Sequence, residues 1–143
     1  MKCTTEKALN LNKAIDLLDA NGKFTRTVTT KFTENKFAFA KVMNDHEAYQ
    51  KLVEEEFYKH IGRDKKELQN LPEDEQIEIG EAFEKFIKEH TGYNDFLSKE
   101  VNINVTPIYK DDLKNCDYKV NLLFLLEGTI FFEHKPKVKA SAK

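Results

Sequence analysis

The side chains of this sequence that could carry chemistry are few and scattered. Glu56 and His60 stand four apart, and Asp45 adjoins His46. A carboxylate and an imidazole at i,i+4 share one helix face, where they can ligate a divalent metal or relay a proton. On an acid-rich helix the same spacing more often gives a surface pair, and neither HExxH nor Glu-x-x-His accompanies it. Asp111 and Asp112 lie beside Lys110 and Lys114, in a polar stretch where Asp serves turn geometry and capping. Cys116 has Asn115 and Asp117 as neighbours, not the base or cation that activates a thiol. With Cys3 it fits no CxxC or metal spacing, so both read as free thiols of a reducing compartment. GxGxxG, phosphate-loop and GxSxG patterns do not occur. These residues favour a protein that is not an enzyme and takes no cofactor and no metal.

The elements that must position these residues are dominated by one stretch. Between Phe24 and His60 there is neither Pro nor Gly, and Val28, Phe32, Phe39, Val42, Tyr49 and Val53 recur at helical 3/4 spacing. Met43, Leu52 and Phe57 widen that stripe beyond a coiled-coil seam. One long helix is expected. At ~1.5 Å per residue, residues 28 to 60 would reach about 50 Å, whereas a compact domain of this length is roughly 37 Å across. Such a helix must protrude, bend, or be completed by a second copy or another partner. Five Thr among residues 25 to 33 favour extended backbone through β-branching, and a short strand there is the alternative, which would shorten the helix to begin near residue 34. His46 falls on the stripe, either as a hydrogen-bonded interior residue or as a polar position fixing register at a helix interface.

Before this stretch, Thr4 or Thr5 can cap a helix with Leu9, Leu11, Ala14, Ile15 and Leu18 on its apolar face, closed by a left-handed stop at Asn21-Gly22. The two helices should form an antiparallel hairpin. After it, Gly62 ends the long helix, Asp64 and Glu67 start a short one, and Pro72 begins a third whose buried face is Ile79, Phe83, Phe86 and Ile87, closed by Thr91-Gly92. Alternation of Val101, Ile103 and Val105 marks a half-buried strand. Its partner is the Thr-rich stretch, the C-terminal region or another chain. The last apolar segment, residues 118 to 132, is either a hairpin turned at Glu127-Gly128 or a buried helix, and its length with an Asp117 cap favours the helix. The fold class is mostly α, a long helical hairpin with additional short helices and one or two short strands. Residues 1 to 134 should form a single domain, and residues 135 to 143 a flexible Lys-rich tail.

The formal net charge of −2 divides unevenly: +4 over residues 1 to 44, −7 over 45 to 90 and +1 over 91 to 143. An acidic middle is either a solvated helical face or a surface for a basic partner, including the basic end of another copy. Nucleic-acid binding is disfavoured, since only Arg26 among the eight cations of residues 1 to 44 is an arginine. MKCTTEKALN has no apolar signal-peptide core, and Val120 to Phe132 is too short and interrupted to span a bilayer, so no membrane association is expected.

In order and spacing, ALNLNKAIDLLDANGKF, KFTENKFAFAKVMNDHEAYQKLVEEEF and VNINVTPIYKDDL followed by LLFLLEGTIFFE resemble a family of bacteriophage and prophage proteins of about 150 residues, known only as a domain of unknown function. The resemblance covers most of the chain and implies a viral or prophage origin, with a place in the host cytoplasm or the virion, but no activity. The expectation from these observations together is a protein–protein interaction module, oligomeric or part of a virion or morphogenetic assembly. Its contact residues would be Phe32, Phe39, Val42, His46, Tyr49, Val53, Glu54, Glu55 and Glu56. The alternative is a small acidic inhibitor of a host nucleic-acid enzyme or anti-phage defence protein. Salt separates the two, because an electrostatic inhibitor weakens steeply with ionic strength and an apolar interface does not.

Overall fold

A computed structural model describes residues 1–136, so most of the tail expected at 135–143 lies outside the described residues. The chain is mostly helical. In order it forms β1 (Lys2–Thr4), α1 (Thr5–Ala20), α2 (Arg26–Ile61), α3 (Lys65–Gln69), α4 (Glu73–Glu89), α5 (Thr91–Ser98), β2 (Glu100–Asn102), β3 (Ile108–Tyr109), α6 (Val120–Leu123) and β4 (Phe131–Phe132), with 3-10 turns at Lys110–Leu113 and Phe124–Leu126. Contacts divide it into two compact units, Met1–Ala40 with Glu100–Lys143, and Lys41–Lys99.

In the first unit, Thr4 caps α1 by accepting the Lys7 N–H at 3.1 Å, and Ala8, Leu11, Ile15 and Leu18 turn inward. The stop after α1 is not left-handed. Asn21 has φ −112°, and Gly22 is required for a different reason: a Cβ there would lie 2.6 Å from the Asp117 carbonyl and 2.7 Å from the Phe24 ring. Lys23 and Asp117 exchange two backbone hydrogen bonds across this approach, at 2.7 and 2.9 Å. The hairpin of α1 and the start of α2 is bridged by Asp16 and Lys36. Val28, Phe32 and Phe39 complete the interior with Ile103, Ile108, Leu113, Leu123, Leu126, Ile130 and Phe131.

One alternative is decided and two expectations are corrected here. The Thr-rich stretch joins the long helix and forms no strand: the hydroxyls of Thr29, Thr30 and Thr33 donate to the carbonyls of Thr25, Arg26 and Thr29, while Val28 and Phe32 are buried in helical register. The strand at residue 100 pairs with none of its three expected partners. It lies antiparallel to β1, with Cys3 opposite Val101, and the Met1 ammonium extends the ladder to the Ile103 carbonyl at 2.8 Å. Finally, residues 118 to 132 are neither one helix nor a hairpin. They form α6, begun at Lys119 without a side-chain cap, then a 3-10 turn and a reversal at Gly128 with φ +77°. β4 runs parallel to β3, with Ile108 opposite Phe131.

The second unit takes up the rest of α2, which ends at Gly62 with φ +69°. Asp64 caps α3 through the Glu67 N–H at 2.9 Å, and Pro72 precedes α4. Thr91-Gly92 does not close α4. It opens α5, whose cap is His90. Val42, Val53, Phe57 and Tyr93 are buried, whereas no residue of α4 is.

Candidate functional site

The second unit gathers the polar and aromatic groups that come closest to a site. From α2, His46 Nε2 lies 2.7 Å from the Tyr93 hydroxyl, and its ring stacks on Phe96 at 6.3 Å. One turn on, Tyr49 stacks on Phe96 at 4.9 Å. Tyr49 also explains Gly92, since a Cβ there would lie 2.5 Å from the Tyr49 hydroxyl. Two turns further, the Glu56 carboxylate accepts from His90 Nε2 at 2.7 Å. His90 Nδ1 accepts the Tyr93 backbone N–H at 2.9 Å, so that nitrogen carries no proton and Nε2–H is the donor. His90 therefore has both nitrogens committed. It could act as a base only by uncapping α5.

Burial governs the electrostatics of these groups. Burial lowers the pKa of His46, which keeps its imidazole neutral near pH 7. Tyr58 donates to Glu54 at 2.7 Å, and burial together with that carboxylate pushes the phenol up to about 12. Glu56 turns to His90 and not to His60, whose ring stacks on Phe86 at 5.8 Å, so the i,i+4 pair suggested by the sequence is not formed. Among the described residues no group of three or more His, Cys, Asp or Glu is arranged to hold a metal ion, and no helix is long and apolar enough to cross a membrane.

Elsewhere, Asp112 accepts from the Tyr109 N–H and from Lys31 Nζ, each at 2.8 Å. Burial raises its pKa, but these hydrogen bonds and the nearby positive charges outweigh it and hold the carboxyl below its usual range. Asp111 is exposed. Among the described residues, the Cys116 sulfur lies 4.0 Å from Thr25 Oγ1 and from the Asp112 carbonyl. Burial raises the Cys3 thiol, with Lys7 and the N-terminal ammonium opposing it.

Of the residues expected to meet a partner, Phe32, Phe39, Val42 and Val53 are buried by the chain itself. His46 and Tyr49 are half-buried against α5, Glu54 bonds Tyr58, Glu56 bonds His90, and Glu55 is exposed. The open apolar surface lies elsewhere. Phe37 is 83% exposed, and Ile77 of α4 is 54% exposed. Beside α4, Phe57, Ile61, Ile79 and Ala82 line a cleft of about 440 Å³ bordered by Glu75, Glu78 and Arg63. A second cleft of about 300 Å³ includes Phe57, Leu68, Ile79 and Phe83. The sequence suggests a short helical turn at 94–99, which the structure extends to α5, but not that His90 and Tyr93 tie it to α2. The available signal was the repeated His-x-x-Tyr spacing at 46/49 and 90/93.

Comparison with known family models, curated proteins and solved structures gives no match to this chain.

Proposed function

We propose that the chain is a non-enzymatic interaction module that associates with further copies of itself through the open apolar face of α4, as a component of a phage or prophage assembly. The viral setting, in the host cytoplasm or the virion, follows from the family resemblance of the sequence. The observation that carries the interaction is α4 itself. Ile77, Ile79, Phe83, Phe86 and Ile87 give it an amphipathic pattern, yet none of its residues is buried. Full burial of an Ile or Phe side chain contributes about 1.5–3 kcal/mol. Exposed Ile77 and the partly covered Ile79, Phe83, Phe86 and Ile87 therefore gain from a covering partner, even though Phe83 and Phe86 already meet Phe57. Light scattering of the purified chain at low and high salt tests this. A mass above the 16.7 kDa of one chain, retained at high salt, supports an apolar assembly contact, and a single-chain mass at both salts contradicts it.

A second reading has its own observation. Lys41–Lys99 carries nine Lys and Arg against fifteen Asp and Glu, a net charge of −6, which suits an acidic inhibitor of a basic site. That reading requires affinity for a basic partner to fall steeply with salt.

A further inference from the structure

Two clefts with opposite border charge lie on the two units. On Met1–Ala40 with Glu100–Lys143, a cleft of about 360 Å³ runs along α1, walled by Leu11, Ala14, Leu17 and Leu125 and bordered by Lys7 and Lys13. Leu17 and Leu125 are 41% and 53% exposed, so this apolar wall is open to solvent. The α4 cleft of the other unit is mixed, lined by Phe57, Ile61, Ile79 and Ala82 together with Glu75, Glu78 and Arg63. The contrast extends beyond the rims. Fourteen Lys and Arg against ten Asp and Glu give the first unit +4, and the second has −6.

We propose that the Lys-bordered cleft along α1 of one copy docks on the Glu-bordered cleft of α4 in a second copy. This rests on the self-association reading above and specifies its contact. Either cleft meeting its own kind would set Lys against Lys or Glu against Glu, and like-charge juxtaposition at an interface is strongly disfavoured. The contact therefore joins unlike clefts. Exchanged reciprocally between two copies it closes as a dimer, and repeated head to tail it closes as a larger ring or continues as a filament. An anionic lipid surface would also suit leucines flanked by lysines, but it would leave the acidic cleft empty. Contact between copies uses both kinds of cleft.

Two variants of the full chain test the pairing: Leu17→Asp with Leu125→Asp, and Glu75→Lys with Glu78→Lys. All four positions are exposed, and circular dichroism and thermal melting verify folding before use. Each variant keeps one working cleft. Each alone should run as a single chain, and an equimolar mixture should give a two-chain complex about tenfold or more tighter than the self-association of either variant. If wild type assembles but the variants assemble equally well, or the mixture yields no complex, the cleft pairing is overturned while self-association stands. A single-chain wild type overturns both. Vesicles containing phosphatidylglycerol provide the last arm. Wild type that stays monomeric, binds them, and loses binding in Leu17→Asp with Leu125→Asp would make the α1 cleft a lipid surface and overturn the pairing.

Discussion

Asn35 occupies a position where the spacing 28, 32, 39, 42 demands an apolar side chain, and it is 0% exposed. Its amide donates to the Thr106 carbonyl at 2.9 Å and accepts the Thr106 N–H at 2.7 Å, so one side chain satisfies both backbone groups of a residue that belongs to no strand. Asn35→Ala strands both groups and should lower stability by at least about 2 kcal/mol. Asn35→Asp, which keeps the acceptor and loses the donor, should also destabilise. Urea denaturation measures both, and an Asn35→Ala midpoint equal to wild type would contradict this role. His46 gives a second residue-level expectation. Its folded pKa is depressed, so as pH falls the unfolded chain takes up the proton first. Its contribution is complete above the unfolded value near 6.5 and is lost as pH drops through the folded value. The urea midpoint should fall from about pH 7 to about pH 5, and His46→Gln should remove that part of the fall. Asp112, also depressed, loses its contribution only in the acid window below the ordinary carboxylate range, so the two titrations separate. The sequence singles out His46 as a polar interruption of the apolar stripe but not Asn35, which falls on the same face between Phe32 and Phe39. It does not expose their partners, Thr106 and Tyr93, which are distant in the chain.

At the scale of elements, the helices are legible where period and caps agree. Thr4, Gly62, Asp64 and Pro72 mark boundaries that the structure keeps. Ambiguity and error arise where a local preference meets a tertiary demand. The Thr run has extended propensity, but its hydroxyls can bond the helix backbone and its apolar residues are buried in helical register. Residues 118 to 132 have enough apolar side chains for a buried helix, yet β3 lacks a partner without β4, and Gly128 permits the reversal. His90 was not recognisable as a cap, since Ser, Thr, Asp and Asn usually fill that role. His90→Ala should destabilise α5 by about 1 kcal/mol, and His90→Asn should recover most of it, as read by thermal melts. Gly22 is needed for close approach, so Gly22→Ala should cost about 1–3 kcal/mol in urea unfolding. An unchanged Gly22→Ala variant would mean that the Lys23–Asp117 bridge yields without penalty.

For the whole molecule, the sequence correctly gives one uninterrupted helix, Arg26–Ile61, about 54 Å long at the usual rise. It does not reveal that residues up to Ala40 pack in one compact unit and those from Lys41 in another, because the apolar stripe runs through the boundary without a change of period. For the same reason the stripe was a poor guide to surface available for a partner. Phe32, Phe39, Val42 and Val53 are consumed by the chain's own packing, whereas on α4 Ile77 is exposed and Ile79, Phe83, Phe86 and Ile87 are only partly covered, although its spacing looks like that of any buried helix. Only the arrangement of neighbours distinguishes the two. The acidic excess of Lys41–Lys99 was legible as charge, and α4 places Glu75 and Glu78 of it in the lining of a cleft. Amide hydrogen exchange of the full chain at increasing protein concentration tests whether that face is covered by another copy. Self-association predicts that the amides of Glu73–Glu89 slow as concentration rises and stay slow at high salt. Exchange in α4 that is fast and independent of concentration would contradict it.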